Sequence, residues 1–276
     1  MAAALTQPID VVKKALPQPV RTALKKVLYD LRERNFKPYL KRKTVAGEVF
    51  DFWIGDTQGR GWYDNTDPLS IELRFARDHM IKPGDVVFDC GAHHGYATVL
   101  FSKWVGDKGK VVAFEALPRN CDILAKNVEL NGLTNVILER KAVGATTGQI
   151  SIDGVSDSTV IFSKQGIKVE MTRLDDYAHL NPAFVKFDVE GFEYQALQGA
   201  QSILSQRPKL VVELHTDKLS KYGASVEKVL NTIGLDRYRL RIQWNDREEP
   251  EEYDNKASIT ERVHLFCLPV RDENLG

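Results

Sequence analysis

A loop with two glycines follows the first strongly apolar run of the chain. The run Val86–Phe88 is followed by Asp-Cys-Gly-Ala-His-His-Gly, residues 89–95. Gly91 permits a tight turn in which the backbone approaches a ligand closely, and Gly95 is placed to begin the next helix. Asp89 adds a carboxylate at the start of the same loop. These residue types predict a ligand-binding turn.

The spacing of the glycines separates two kinds of nucleotide ligand. A dinucleotide-binding loop has glycines at offsets zero, two and five, which from Gly91 fall on Gly91, His93 and Tyr96. A histidine at the second position hinders a pyrophosphate from lying against the backbone. S-adenosylmethionine carries no phosphate, and its ammonium, carboxylate and sulfonium suit a looser loop with an acidic residue. The loop therefore favours S-adenosylmethionine over NAD.

Glu115 ends the second apolar run, at the place where the ribose of an adenosine would lie. One carboxylate can accept hydrogen bonds from both ribose hydroxyls. In the alternative interpretation, Asp89 and Glu115 only stabilise the N-termini of neighbouring helices. The first interpretation predicts a cofactor site made of Asp89, Gly91, Ala92, His93, Gly95 and Glu115.

Four polar residues at the ends of two later apolar runs are the candidates for acceptor chemistry. Asp188 and Glu190 follow one run, and Glu213 and His215 follow the next. His215 titrates near neutrality, so it is the predicted general base for a hydroxyl acceptor, with Asp188 and Glu190 orienting the substrate. The alternative in which Asp188, Glu190 and His215 ligate one Mg²⁺ stays open, although we predict no metal site.

Five continuous apolar runs alternate with helix-like segments. Continuous runs are typical of strands buried on both faces. Strand and helix in alternation predict right-handed βαβ units and hence an α/β fold with a doubly wound, mostly parallel sheet. The predicted strands are Val86–Phe88, Val111–Phe114, Val136–Leu138, Phe184–Phe187 and Leu210–Val212, and the predicted helices are Tyr96–Val105, Cys121–Leu130 and Glu193–Leu204.

Less regular segments flank this pattern and interrupt it. Two late runs that alternate polar and apolar residues follow a predicted helix, Ser225–Ile233, and indicate an antiparallel pair at one sheet edge. These runs are Tyr238–Ile242 and Val263–Leu268. A hairpin-like insertion is predicted over Gln149–Thr172. The N-terminal region is predicted to hold a helix over Val20–Leu40, a strand over Lys43–Trp53 and a helix over Ser70–Met80.

Three motifs together resemble the FkbM family of methyltransferases. They are Lys82–Asp85 with the loop at 89–95, Ala113–Pro118, and Lys186–Glu193, which contains Asp-Val-Glu-Gly-Phe-Glu. The family more often has asparagine at one of the two histidine positions and proline in place of Ala116. The resemblance, over roughly residues 70–215, implies a class I methyltransferase (Rossmann-like) fold and O-methylation of a hydroxyl, often on a sugar or polyketide-type product. We predict a basic N-terminal extension over residues 1–69 and a methyltransferase domain over residues 70–276.

The charge of the chain is unevenly distributed. The 276 residues have no net charge, but residues 1–43 contain eleven basic and three acidic side chains, a net charge of +8. We interpret this segment as a solvated helix face that packs on the acidic remainder. The alternative is an electrostatic contact with an anionic membrane or a lipid-linked glycan. A nucleic-acid arm is disfavoured because aromatic residues are sparse there.

The cysteines and the apolar runs indicate the cellular location of the protein. Cys90, Cys121 and Cys267 are far apart and form no Cys-x-x-Cys pair, which argues against a disulfide framework or a zinc site. No segment reaches the ~20 apolar residues that cross a bilayer, and the first residues lack a signal-peptide pattern. The sequence predicts a cytoplasmic protein.

These observations favour an S-adenosylmethionine-dependent O-methyltransferase that acts on a hydroxyl of a sugar, glycan or secondary metabolite. Two alternatives stay open: an RNA-modifying methyltransferase and a nucleoside-binding module without catalysis. Acceptor pockets are built by variable loops, so the sequence does not name the acceptor.

Overall fold

The computed structural model describes residues 31–65, 68–152 and 166–270, together with Val20 and Val27. Within them, the strands in chain order are β1 (Tyr39–Val45), β2 (Glu48–Ile54), β3 (Val86–Cys90), β4 (Lys110–Phe114), β5 (Val136–Glu139), β6 (Lys141–Val143), β7 (Gly148–Ile152), β8 (Ile167–Thr172), β9 (Phe184–Phe187), β10 (Lys209–Leu214), β11 (Tyr238–Gln243), β12 (Glu251–Glu252) and β13 (Val263–Pro269). The helices are α1 (Thr57–Tyr63), α2 (Ile71–Phe75, continued by a π-helical turn at Ala76–Met80), α3 (Tyr96–Val105), α4 (Pro118–Leu130), α5 (Glu193–Gln198), α6 (Gln201–Ser205), α7 (Thr216–Leu219) and α8 (Val226–Ile233).

An eight-stranded sheet forms the centre, in the order β12-β11-β13-β10-β9-β3-β4-β5. Strands β10, β9, β3, β4 and β5 are parallel, whereas β13 runs antiparallel to both β10 and β11. The chain leaves β3 towards β4 and β5 and then returns to β9 on the other side, so the strand order reverses between β3 and β9. Phe88, Val112, Val185 and Val212 are fully buried, which explains the continuous apolar runs. The predicted doubly wound, mostly parallel sheet is confirmed.

One observed helix differs from the predicted one. The helix predicted over Glu193–Leu204 is split into α5 and α6 at Gly199, where a Cβ atom would lie 2.0 Å from the Gly144 carbonyl oxygen. The predicted antiparallel pair is confirmed: β11 pairs with β13 at one end of the sheet, and the two-residue strand β12 extends this end beyond β11. The insertion pairs β7 with β8 as expected, although residues 153–165 lie outside the described part.

The single strand predicted over Lys43–Trp53 is wrong, because this segment is a hairpin of β1 and β2. The chain turns at Ala46 and Gly47, which have φ angles of 52° and 87°. A turn with two left-handed residues favours asparagine or glycine, and alanine gives no such signal. The helix predicted over Val20–Leu40 ends by residue 35, and residues 21–26 and 28–30 of it lie outside the described residues.

The hairpin shares a hydrophobic core with the central sheet. Phe50, Phe52 and Ile54 of β2 are buried in the same cluster as Tyr96 and Leu100 of α3. Residues 39–54 are therefore held against the domain that the sheet forms. The boundary predicted between residues 1–69 and 70–276 stays a prediction. Residues on both sides of it belong to the same hydrophobic core.

None of the helices in the described residues combines the length and the apolar character that crossing a bilayer requires.

Candidate active site

A cavity of about 440 Å³ lies beyond the carboxyl ends of β3, β4, β9 and β10, where the strand order reverses. The residues that line it include members of both predicted sites. They are Asp89, Gly91, Ala92, His93 and Glu115 on the predicted cofactor side, and Asp188, Glu190 and Glu213 on the predicted acceptor side. Helices α1 and α2 add Trp62, Tyr63 and Glu72 to the lining.

Both loop glycines stand where a side chain has no room. Gly91 has a φ angle of +86°, and a Cβ atom there would lie 1.9 Å from the Asp188 carbonyl oxygen. Gly95 has a φ angle of +85°, and its Cβ atom would meet Leu124 at 2.2 Å. The first glycine thus lets the loop after β3 approach the loop after β9, and the second brings α3 against α4.

The two predicted cofactor carboxylates are buried in different ways. Glu115 accepts hydrogen bonds from the backbone N–H groups of His93 and Leu117, each at 2.8 Å, so it also fixes the start of α4. Asp89 is fully buried and accepts a hydrogen bond from Thr98 at 2.6 Å, while its Oδ1 has no hydrogen-bond partner among the described residues. Burial raises the pKa of both carboxyl groups. The unpartnered Asp89 oxygen therefore suits a cationic donor such as the ammonium of S-adenosylmethionine.

The two adjacent histidines of the loop lie in different surroundings. His94 is fully buried, and its Nε2 lies 3.4 Å from the Asp56 carboxylate, whose pKa is lowered to about 2 by His94 despite burial. His93 lines the cavity, and its Nδ1 is hydrogen-bonded to the Tyr63 hydroxyl at 2.8 Å. The two rings stack with centroids 3.9 Å apart. Only His93 is thus placed to meet a ligand.

The acceptor-side carboxylates form ion pairs. Lys186 Nζ lies 2.8 Å from Asp188 Oδ2, and Lys218 donates to Glu190. Glu190 has a left-handed backbone, with a φ angle of 58°, so the loop after β9 turns sharply at this residue. Asp188 and Glu190 are therefore held in the cavity wall by their lysine partners, and their orienting role stays a prediction.

His215 lies among three carboxylates. Its Nδ1 lies 2.8 Å from Glu193 Oε1, and its Nε2 lies 3.3 Å from Glu190 and 3.6 Å from Glu213. Glu193 and the other carboxylates outweigh burial and raise the pKa of His215 to about 9. The imidazole is therefore a cation at neutral pH and has no free site for the proton of an acceptor. These contacts favour a role in holding Glu190 and Glu213 in place, and the role of His215 as general base stays an untested prediction.

Two residues that the sequence patterns did not indicate complete the acceptor side. Glu72 of α2 lines the cavity, and its Oε2 lies 3.6 Å from Nε2 of His264 in β13. The same nitrogen lies 3.4 Å from Glu213 Oε2, because His264 is the cross-strand partner of Glu213. The nearby carboxylates raise the pKa of His264 to about 9, against the effect of burial. His264 thus bridges α2 and β10 as a buried cation.

A cluster of Asp188, Glu213 and His215 offers ligand atoms within 4.8 Å of one another. It differs from the Mg²⁺ alternative considered from the sequence, since Glu213 replaces Glu190. Cationic partners already neutralise two of these residues: Lys186 pairs with Asp188, and Arg262 lies 3.3 Å from Glu213. A metal ion would have to displace these ion pairs, so the donor set does not favour one.

The fold and the site define a class I methyltransferase. The chain matches the family model of the methyltransferase FkbM domain over residues 89–240, more than half of the sequence. The protein therefore belongs to the FkbM family and is an S-adenosylmethionine-dependent methyltransferase.

Solved methyltransferase structures resemble the chain at low sequence identity. Methyltransferase FkbM from Methylobacillus flagellatus KT is 20% identical with a TM-score of 0.48; the alignment covers 71% of this chain and 47% of that one, so the chain spans about half of that protein. An rRNA methylase from Streptococcus thermophilus is 13% identical, with 73% and 95% covered and a TM-score of 0.47. Fibrillarin from Aeropyrum pernix with bound S-adenosylmethionine is 12% identical, with 73% and 70% covered and a TM-score of 0.38.

Proposed function

We propose that the protein transfers a methyl group from S-adenosylmethionine to a hydroxyl of a sugar, glycan or secondary metabolite. The observation that carries this proposal is the row of four carboxylates on one wall of the cavity: Glu72, Asp188, Glu190 and Glu213. Carboxylates accept hydrogen bonds, and the hydroxyl groups of a polyol are donors that fit such a wall. Because the loop 89–95 lines the same cavity, an acceptor on this wall lies beside the cofactor.

The proposed cofactor site consists of Asp89, Gly91, Ala92, His93, Gly95 and Glu115. When bound, the cofactor supplies a methyl group on a positively charged sulfur. Asp89 presents its unpartnered oxygen to the ammonium group, and Glu115 retains lone pairs for the ribose hydroxyls. The glycines leave room for the ligand against the backbone. These residues align the methyl group with the acceptor, and alignment supplies much of the rate increase for such a displacement.

We propose Glu72 as the general base because its nearest cationic contact is the longest in this wall; Asp188 also has one ion-pair partner, but Lys186 lies only 2.8 Å from it. The one ion-pair partner of Glu72 among the described residues is His264 at 3.6 Å, whereas Glu213 lies within 4 Å of Arg262, His215 and His264. Burial, with smaller contributions from Glu213 and Asp188, raises the pKa of Glu72. Glu72 would take the proton of the acceptor hydroxyl, and the cofactor, when bound, would supply the methyl group that replaces this proton.

The acidic wall also bears on the alternative functions. An RNA acceptor brings phosphate groups, and the cavity lining, with six carboxylates against the basic side chains Lys141, Lys186 and Arg262, offers them no net basic surface. A nucleoside-binding module without catalysis would have no use for a base with a raised pKa beside the cofactor loop. We therefore place O-methylation of a small hydroxyl compound or glycan ahead of both alternatives.

The experiment is a search for the methyl acceptor with labelled cofactor. The protein is incubated with methyl-labelled S-adenosylmethionine and metabolite, glycan or RNA fractions of the host. We expect label in an alkali-stable methyl ether of a metabolite or glycan. The Glu72→Gln variant should lose this transfer, while Glu227→Gln, on the exposed face of α8, should keep it. Label in RNA alone, or no transfer by a protein that binds the cofactor, would contradict the proposal.

We also propose a cytoplasmic location and a peripheral contact of the basic N-terminus with anionic membranes. The support for the location is that Cys90, Cys121 and Cys267 are all free and buried, as expected of thiols in a reducing compartment. The support for the contact is the net charge of +8 in residues 1–43.

A further inference from the structure

The His93 side chain carries an unexplained polar atom. The ring lines the cavity and is 8% exposed, and its Nε2 is buried without a hydrogen-bond partner among the described residues. The ring is also held in place, since it stacks on His94 at 3.9 Å and packs against Trp62 at 4.9 Å. A buried nitrogen costs free energy when it stays unpaired. An orphaned atom at the cavity wall therefore indicates a partner on the ligand.

Tyr63 contacts the other nitrogen of the His93 ring. Its hydroxyl is hydrogen-bonded to Nδ1 of His93 at 2.8 Å. Burial raises the pKa of Tyr63 well above its usual value, so the phenol keeps its proton and is able to donate it. Burial lowers the pKa of His93, so the ring is neutral and has one N–H group. A hydrogen bond in which Nδ1 accepts from Tyr63 places that N–H group on Nε2, whereas the reverse direction places it on Nδ1.

We infer that Tyr63 is a positioning residue that holds His93 in the Nε2–H tautomer, so that Nε2–H donates a hydrogen bond to an oxygen of the bound cofactor. The inference rests on the proposed cofactor site. The backbone N–H of His93 already donates to Glu115 at 2.8 Å, which places the histidine beside the proposed ribose carboxylate. The oxygen belongs to either the ribose or the amino-acid carboxylate of the ligand. Tyr63 lies in α1, before residue 89, where the family match begins.

The first test reads the tautomer directly. The protein labelled with ¹⁵N-histidine is studied by long-range ¹H–¹⁵N correlation spectroscopy without ligand, and His93 is assigned by its absence in His93→Asn. We expect a protonated Nε2 and an unprotonated Nδ1 in the wild type, and a mixture of the two tautomers in Tyr63→Phe. A protonated Nδ1 in the wild type would overturn the inference even if the protein binds the cofactor normally.

The second test is calorimetry with S-adenosylhomocysteine as the ligand. Loss of one hydrogen bond predicts about three- to tenfold weaker binding to Tyr63→Phe, and no further loss when Tyr63→Phe is added to His93→Asn. Tyr238→Phe, which removes another buried hydroxyl in β11, is the matched control and should bind normally. Methylthioadenosine lacks the amino-acid carboxylate. Tyr63→Phe should therefore weaken its binding only if the oxygen that accepts from His93 Nε2–H is on the ribose. Normal binding of S-adenosylhomocysteine to folded Tyr63→Phe would overturn the inference, whereas a wild type that binds no ligand would instead contradict the proposed function.

Discussion

Glu72 and Glu213 share His264 Nε2, at 3.6 and 3.4 Å, but differ in proton affinity. His264 and His215 lower the pKa of Glu213, with Lys186 adding to the effect, whereas burial outweighs the cations around Glu72 and raises its pKa. Glu213 therefore favours its anionic form, whereas Glu72 binds a proton more readily, as its proposed role as general base requires. Such a difference in pKa is a common way to assign acid and base roles in an active site.

The first prediction concerns catalysis by Glu72. Glu72→Gln keeps the shape of the side chain but cannot take a proton, so kcat should fall by about 10²- to 10⁴-fold with little change in cofactor affinity. In the wild type, kcat should fall as the pH drops through the raised pKa of Glu72, because the protonated carboxyl is no longer a base. Both are measured with the acceptor identified by methyl labelling. Wild-type turnover in Glu72→Gln, together with loss in Asp188→Asn, would move the role to Asp188.

The second prediction concerns the proposed ribose contact of Glu115. Charged hydrogen bonds are worth roughly 1.5–3 kcal/mol each, so Glu115→Ala should bind S-adenosylhomocysteine about ten- to a hundredfold more weakly. The variant also leaves the N–H groups of His93 and Leu117 without their acceptor, so its thermal midpoint should fall. Glu129→Ala, at an exposed position of α4, is the control for both measurements. Unchanged calorimetric affinity would remove Glu115 from the cofactor site.

At the scale of elements, the core strands were predictable and their flanks were not. Strands buried on both faces read as continuous apolar runs, and each of the five predicted runs is a strand. The turn at Ala46 and Gly47 carries no asparagine or aspartate signal, so the hairpin reads as one strand. The loop of the proposed cofactor site could be singled out from the sequence because its residues are contiguous, and its position at the cavity agrees with that proposal. Glu72 and His264 could not, since they meet only through packing of α2 and the register of β13 against β10.

The third prediction concerns the pairing of β10 with β13 through His264 and Glu213. The pKa of His264 is raised to about 9 in the folded protein, above about 6.5 in the unfolded chain. Its contribution to the free energy of unfolding is therefore complete below the unfolded value and is lost as the pH rises through 9. The free energy of unfolding is measured by urea denaturation at pH 6.5 and 9.5. Its decrease between the two pH values should be about 1–3 kcal/mol larger for the wild type than for His264→Gln. His79→Gln, at an exposed position, should behave as the wild type, and an equal decrease in His264→Gln would contradict the pairing.

At the scale of the whole molecule, the N-terminal region has two parts with different roles. Glu33 contacts Thr57 at the start of α1 and Arg119 in α4, and its carboxylate accepts the Thr57 N–H at 3.1 Å. β1 pairs along its whole length with β2, which is buried against α3. Residues from about 31 onwards therefore belong to the folded domain. The basic residues before position 31 lie outside the described residues, and docking on an anionic surface is the role proposed for them from their charge.

This division leads to the last prediction, which compares two truncations. Removing residues 1–30 leaves Glu33 and β1 intact, so the affinity for S-adenosylhomocysteine should stay within a few-fold of the wild type. Removing residues 1–42 deletes Glu33 and the first four residues of β1, so the thermal midpoint should fall and α1 should lose its support. If the basic segment docks on anionic surfaces, the shorter truncation should also lose binding to phosphatidylserine vesicles in a co-sedimentation assay at low salt, since attraction of ~1 kcal/mol per basic residue is lost. A folded 31–276 protein that binds no cofactor would show that the segment acts on the cofactor site, and unchanged vesicle binding would show that the docking charge lies elsewhere.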